Sequence, residues 1–244
     1  IYFIIFFPSL HFWTSGIGKD TIVFSATSIM FYIFLNKKSY FYIIICLFLI
    51  FLVRPYCAIL IALSLFINYI LLNKNTFRIK LLVSLIFFII ILLSNKYLLN
   101  LIYFSEKINF ENIINYLNTR RSYLQTEPQN LNIINIFYEP FIYLFKPIIL
   151  NTKSYFVLIS SIENIFLLLI TIYIFSKTNI NKLYNFIIKK NIFISCCFIL
   201  ILIPLSLTTL NYGLIVRLKI MILLPYFILL TLIYQNYIFK KIKL

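Results

Sequence analysis

The run YFYIIICLFLIFLV at Tyr40–Val53 leads into Arg54-Pro55-Tyr56 and then into CAILIALSLFINYILL at Cys57–Leu72. Arg54 is the only charged side chain in this stretch. The apolar residues run on without the alternation of a half-buried strand. Uninterrupted runs of this length read as transmembrane helices. Proline at 55 cannot continue the hydrogen-bond ladder, so Arg54-Pro55-Tyr56 reads as a hairpin tip or a broken helix. Comparable runs occur at Leu81–Ser94 and Ile220–Tyr237.

Composition agrees with that reading. The 244 residues are 63% hydrophobic and 11% charged, whereas soluble domains are about 45–50% apolar and about 25% charged. An ordinary soluble domain is excluded, and so is disorder, which needs low hydrophobicity. With three glycines, seven prolines and continuous runs, a β-barrel with alternating residues and frequent turns is disfavoured. The expected fold is all-α: a single transmembrane domain over 1–244, a polytopic integral membrane helix bundle of about 7–8 spans. The spans fall at Thr21–Leu35, Tyr40–Val53, Tyr56–Leu72, Leu81–Ser94, Tyr155–Phe175, Ile192–Leu210 and Ile220–Ile238, and Ile1–Phe7 reads as the tail of another. The start at Ile1, inside an apolar stretch, reads as that of an N-terminally truncated chain.

Net charge is +16, and its placement is more informative than its sum. Cytoplasmic loops carry excess Lys and Arg. Alternating the loops puts Lys37, Lys38, Lys74, Arg78, Lys80, Lys177, Lys182, Lys189, Lys190, Lys240, Lys241 and Lys243 on one side, with no acid. That side is assigned to the cytoplasm, together with the C-terminus. The other side receives His11, Lys19, Asp20, Arg54, Arg217, Lys219 and the long segment 95–154. Cytoplasmic charges of this kind serve topology and contacts to lipid headgroups, so function is expected on the opposite face.

All three glycines lie there, at Gly16, Gly18 and Gly213, and are expected to mark tight backbone conformations. Pro8 and Trp13-Thr14-Ser15-Gly16 read as a turn or re-entrant segment entering the helix that carries Asp20. Asp20 is either a first-turn acid favoured by the helix dipole, a catalytic base, or a carboxylate paired with Lys19, Arg54 or Arg217. Arg54 either snorkels to the interface or meets an anionic partner. Arg217 and Lys219 open the last span, and Gly213 four residues earlier suggests a positioned loop. Cations on one membrane face suit an anionic ligand at headgroup level, since a guanidinium holds phosphate through a bidentate fork. A lipid-linked diphosphate sugar fits that description.

The extracytoplasmic loop 95–154 contains amphipathic stretches such as Ile108–Leu117, the basic pair Arg120 and Arg121, and an aromatic group at Phe137, Tyr138, Phe141, Tyr143 and Phe145. Aromatics of this kind suit sugar rings and also the membrane interface. Glu163, inside a span, is either a functional carboxylate or a structural partner for Arg54 or Arg217. A single histidine excludes a multi-His metal site, and no pair of cysteines has zinc spacing. No Walker loop, no Gly-x-Ser-x-Gly elbow, no His-Glu-x-x-His motif and no Asp-x-Asp pair is present. One Asp and one His on the outer face still permit acid/base chemistry.

The segment Pro8-Ser9-Leu10-His11-Phe12-Trp13-Thr14-Ser15-Gly16-Ile17-Gly18-Lys19-Asp20, then Arg54-Pro55-Tyr56, then Asn211-Tyr212-Gly213 with Arg217, resembles polytopic proteins of bacterial surface-polysaccharide loci. These are the Wzy-type O-antigen or capsule polymerases and the GT-C-like membrane glycosyltransferases. The resemblance spans most of the chain and rests on these short motifs. It implies polymerisation of undecaprenyl-diphosphate-linked repeat units on the periplasmic face of the bacterial inner membrane, with no cofactor. It further implies that Asp20 and His11 serve acid/base chemistry, while Lys19, Arg54, Arg217, Lys219, Arg120 and Arg121 hold the lipid diphosphate. The partners it implies are the lipid-linked oligosaccharide, membrane lipids and a chain-length regulator protein, with no nucleic acid. The alternatives are a GT-C-type transferase using a polyprenyl-phosphate sugar and a non-enzymatic flippase for a lipid-linked glycan. A flippase calls for charged groups along a path through the bilayer, and Glu163 is the one such group in the expected spans.

Overall fold

The computed structural model describes residues 7–16, 18–37, 39–72, 118, 133–147, 155–179, 183, 186, 191–209 and 211–239. Among them the regular elements are all helical: α1 Pro8–Thr14, α2 Lys19–Leu35, α3 Tyr40–Val53, α4 Pro55–Leu72, α5 Ile133–Phe145, α6 Tyr155–Lys177, α7 Ile192–Thr208 and α8 Tyr212–Ile233. The end of α8 runs on into a π-helical turn, Tyr234–Phe239.

Among the described residues, three helices are long and apolar enough to cross a membrane: Pro55–Leu72, Val157–Lys177 and Tyr212–Asn236. A fourth span arises if α1 and α2, bent by 111° to one another, are taken as one broken unit. The described residues thus account for three or four of the expected 7–8 spans. Tyr40–Val53 and Ile192–Thr208 are apolar helices of 14 and 17 residues, below the roughly 20 needed to cross about 30 Å of hydrocarbon. The run Leu81–Ser94 lies outside the described residues. The last span begins at Tyr212 rather than Ile220. Reading Arg217 and Lys219 as flanking charges misplaced its start, because both are accommodated on the helix by partners described below.

The α3–α4 break shows how the sequence positions a charge. Arg54 caps both helices. Its N–H donates to the Ile50 carbonyl at 2.7 Å, and its own carbonyl accepts from the N–H groups of Cys57 (3.1 Å) and Ala58 (3.3 Å). Pro55 opens α4, where the missing N–H is one the helix would leave unpaired anyway. The interruption is thus a hairpin tip between two apolar helices.

α8 is the post around which the rest is arranged. It packs against α1, α2, α6 and α7, and Ile215, Ile222, Leu223 and Ile233 are essentially inaccessible. The outer helices expose apolar side chains instead: Tyr40, Phe41, Ile44, Phe48 and Leu52 on α3, and Ile162, Phe166, Leu169 and Tyr173 on α6. A water-facing monomer does not carry contiguous apolar faces on this scale; lipid-facing helices do.

The glycines depart from expectation. None has a positive φ, and the residue in the left-handed region is Lys37, with φ 51°. A Cβ at Gly16 or Gly18 meets nothing within 4 Å, and one at Gly213 meets only the Asn211 Oδ1 at 3.4 Å. Gly18 is the N-cap of α2. Asn211 is the N-cap of α8, and its Oδ1 accepts from the Gly213 N–H at 3.0 Å. Arg217 therefore sits on a helix, not on a loop positioned by glycine. Gly16→Ala and Gly18→Ala are expected to shift stability by less than about 0.5 kcal/mol, as read by thermal unfolding in detergent. A larger loss would mean that backbone freedom matters at this turn.

Candidate functional site

Three sequence-distant charges meet at one end of the bundle. α2 starts there, α3 ends and α4 starts there, and Arg217 lies in the second turn of α8. Asp20, in the first turn of α2, is buried. Its Oδ1 accepts from Arg54 Nη2, and its Oδ2 accepts from Arg217 Nε at 2.5 Å. The first-turn position and the pairing reinforce one another, because the helix N-terminus also favours a carboxylate.

The two arginines are held differently. The Arg54 side chain is 12% exposed. Its Nη1 donates to the Tyr56 hydroxyl at 2.7 Å, and its Nε is buried without an acceptor among the described residues. Arg217 is 38% exposed. Its guanidinium lies over the Trp13 ring, 5.3 Å from the centroid, a cation–π arrangement. Only its Nε is engaged by Asp20; Nη1 and Nη2 have no hydrogen-bond partner among the described residues. Among the described residues the cluster is one carboxylate and two guanidiniums, a net positive set with one fixed arm and one presented arm.

With both oxygens taken by guanidiniums, Asp20 acts here as a positioning carboxylate. A base role would require one arginine to leave it. Lys19 is exposed at the start of α2, next to Asp20. His11 is exposed on α1 and is not a partner of the Asp20 carboxylate among the described residues. Arg120 and Arg121 lie outside the described residues, as does the amphipathic stretch Ile108–Leu117. Of the loop's aromatic group, Phe137 and Phe141 on α5 are exposed and Tyr143 and Phe145 are buried.

Lys219 does not join the cluster. Two residues along a helix turn a side chain by about 200°, so Lys219 faces away from Arg217. It is buried, and its Nζ donates to the Lys146 carbonyl (2.6 Å) and to Asn164 Oδ1 (2.8 Å). Asn164 in turn donates from Nδ2 to the Pro147 carbonyl at 3.0 Å. An ammonium in this setting fastens the end of α5 to α6 and α8; it offers nothing to a ligand at Arg217.

Glu163 is likewise reassigned. Its partner is neither Arg54 nor Arg217 but Ser9 on α1: Oε1 accepts from the Ser9 N–H at 2.7 Å, and Oε2 accepts from the Ser9 hydroxyl. Nothing in a single sequence flags a contact between residues 154 apart. The helical phase that separates Lys219 from Arg217, by contrast, was available in the sequence. No group of His, Cys, Asp and Glu that could hold a metal occurs among the described residues. Comparison with known proteins finds no matching family model, no matching curated protein and no matching solved structure.

Proposed function

We propose that this chain is an integral membrane protein of bacterial surface-polysaccharide assembly. It receives an undecaprenyl-diphosphate-linked glycan where Asp20 gathers Arg54 and Arg217, and it polymerises such repeat units there. The observation that carries the reading is the presented guanidinium of Arg217. A fork with two terminal nitrogens available, backed by Asp20 and walled by Trp13, suits a phosphate oxygen pair. The buried Arg54 Nε is a second donor that an incoming oxyanion can satisfy. Bulk lipid faces the exposed apolar helices, so a tail in the bilayer and a headgroup at the cluster are compatible.

In this reading Arg217 grips the diphosphate, Arg54 supplies a fixed positive potential, and Asp20 orients both. Lys19 adds charge at the rim, and His11 is the remaining acid/base group on α1. The transfer moves a glycan from one lipid diphosphate to the terminal sugar hydroxyl of another lipid-linked unit. The hydroxyl proton leaves with a base, and the lipid diphosphate departs with the bonding pair.

Arg217→Ala is expected to weaken binding of a lipid phosphate roughly 10- to 100-fold, the worth of about 1.5–3 kcal/mol for a charge-assisted contact. In cells it should leave single repeat units in place of long glycan. Arg217→Lys should not restore polymer, because a lone ammonium cannot hold Asp20 and a phosphate pair together. Full-length glycan in cells carrying membrane-inserted Arg217→Ala would refute the assignment.

A further inference from the structure

Trp13 is the protein's only tryptophan, and it forms the wall behind Arg217. Its helix, α1, spans only Pro8–Thr14 and is far too short to hold its own orientation. Besides the Thr21 hydroxyl of α2, which donates to the Thr14 carbonyl at its far end (3.4 Å), two kinds of contact hold it among the described residues. Its base is apolar: Leu10 is buried, and Phe7, which precedes the helix, meets Phe227 edge to face at 5.0 Å between centroids. The other contact is polar and directional. Glu163 of α6 takes both the backbone N–H and the hydroxyl of Ser9, one oxygen each. Ser9 and Trp13 are four residues apart and share a face of the helix. Fixing one sets the rotation that places the other.

We propose that Glu163 is a positioning residue: its two-point hold on Ser9 fixes the rotation of α1 and thereby keeps the Trp13 indole against the Arg217 guanidinium. The chain of contact runs Glu163, Ser9, Trp13, Arg217, and joins α6 to α8 through α1. Glu163 also lies in the field of the buried Lys219 ammonium, and the task assigned here rests on its two directional hydrogen bonds to Ser9. An apolar contact such as that of Leu10 tolerates rotation about the helix axis, whereas two hydrogen bonds to one residue do not. The consequence for a bound phosphate rests on the reading of Arg217 given above; the tether itself does not.

The test uses the full chain in detergent, with the Trp13 emission excited selectively and quenched by acrylamide. Glu163→Gln keeps the hold, since its amide oxygen accepts from the Ser9 N–H and its NH2 donates to the Ser9 hydroxyl. Glu163→Ala removes both bonds, and Ser9→Ala removes one. Quenching is expected to stay at the native level in Glu163→Gln and to rise about two-fold or more in Glu163→Ala, as a locally released segment does. Ser9→Ala should fall between them. A cooperative thermal transition in each variant separates release of α1 from unfolding, and Ser9→Ala carries the test if Glu163→Ala does not fold. The proposal is overturned if Trp13 stays equally shielded in Glu163→Ala and Ser9→Ala. It is also overturned if Glu163→Gln exposes Trp13 as much as Glu163→Ala, because charge would then be the property that matters.

Titration of the native protein with dodecyl phosphate and with inorganic phosphate decides the anion reading separately. Binding of dodecyl phosphate alone points to a lipid-borne phosphate, and equal binding of both points to free phosphate. Binding of neither would remove the phosphate reading and leave the tether result standing.

Discussion

Asp20→Ala is expected to destabilise the folded bundle by about 3–5 kcal/mol, the cost of stranding a buried charge by removing its partner. Two guanidiniums share this carboxylate, and the Arg54 side chain is 12% exposed, so Arg54 cannot recover its solvation by turning outward. Arg54→Leu alone should cost less, because Asp20 keeps Arg217. The double variant Asp20→Ala with Arg54→Leu should recover much of the loss, since nothing charged is then left buried beside α4. Thermal or denaturant unfolding in detergent, arranged as a double-mutant cycle, measures this directly. Additive losses would mean that the two side chains do not act on each other.

Lys219→Ala should produce a second large loss, of about 2–6 kcal/mol, without loss of ligand affinity. Removing the ammonium strands Asn164 Oδ1 and the Lys146 carbonyl, at about 1–3 kcal/mol for each buried acceptor left unmet. Lys219→Met restores volume but neither hydrogen bond, so it should recover only the packing part. Lipid-phosphate affinity of the folded fraction should be unchanged. Arg217→Ala is expected to do the reverse: affinity falls and stability moves little, because Asp20 keeps Arg54. A stable Lys219→Ala protein that no longer binds dodecyl phosphate would place Lys219 at the ligand after all.

The all-helical class follows from the uninterrupted apolar runs, and the joining of α3 to α4 at Arg54 follows from Pro55. The meeting of Asp20, Arg54 and Arg217 was legible because apolar helices that alternate in direction return their interrupting charges to the same end. Nearness in sequence groups Lys219 with Arg217, but helical phase sets them on opposite faces. Unpaired charges mark the start of a span, whereas the paired Arg217 and the fastened Lys219 are carried inside α8, which begins at Tyr212 and not at Ile220. The scarce glycines are expected at tight backbone conformations, yet Gly18 and Gly213 stand at helix starts and neither has a positive φ. The hold of Glu163 on Ser9 depends on tertiary approach alone, which periodicity does not encode.

α8 also orders events in time. It is made on the ribosome after every described helix it touches, yet it supplies the surface on which α1, α2, α6 and α7 converge. Until its residues emerge, Asp20 has only Arg54 as an ion-pair partner among the described residues, and α1, α2, α6 and α7 have one another and their other neighbours but not the helix they share. The nascent chain must therefore wait in a partly gathered condition during synthesis, sheltered by the insertion machinery or by lipid. Stop codons introduced just before Tyr212 should yield a product that is cleared by quality control rather than a smaller working protein.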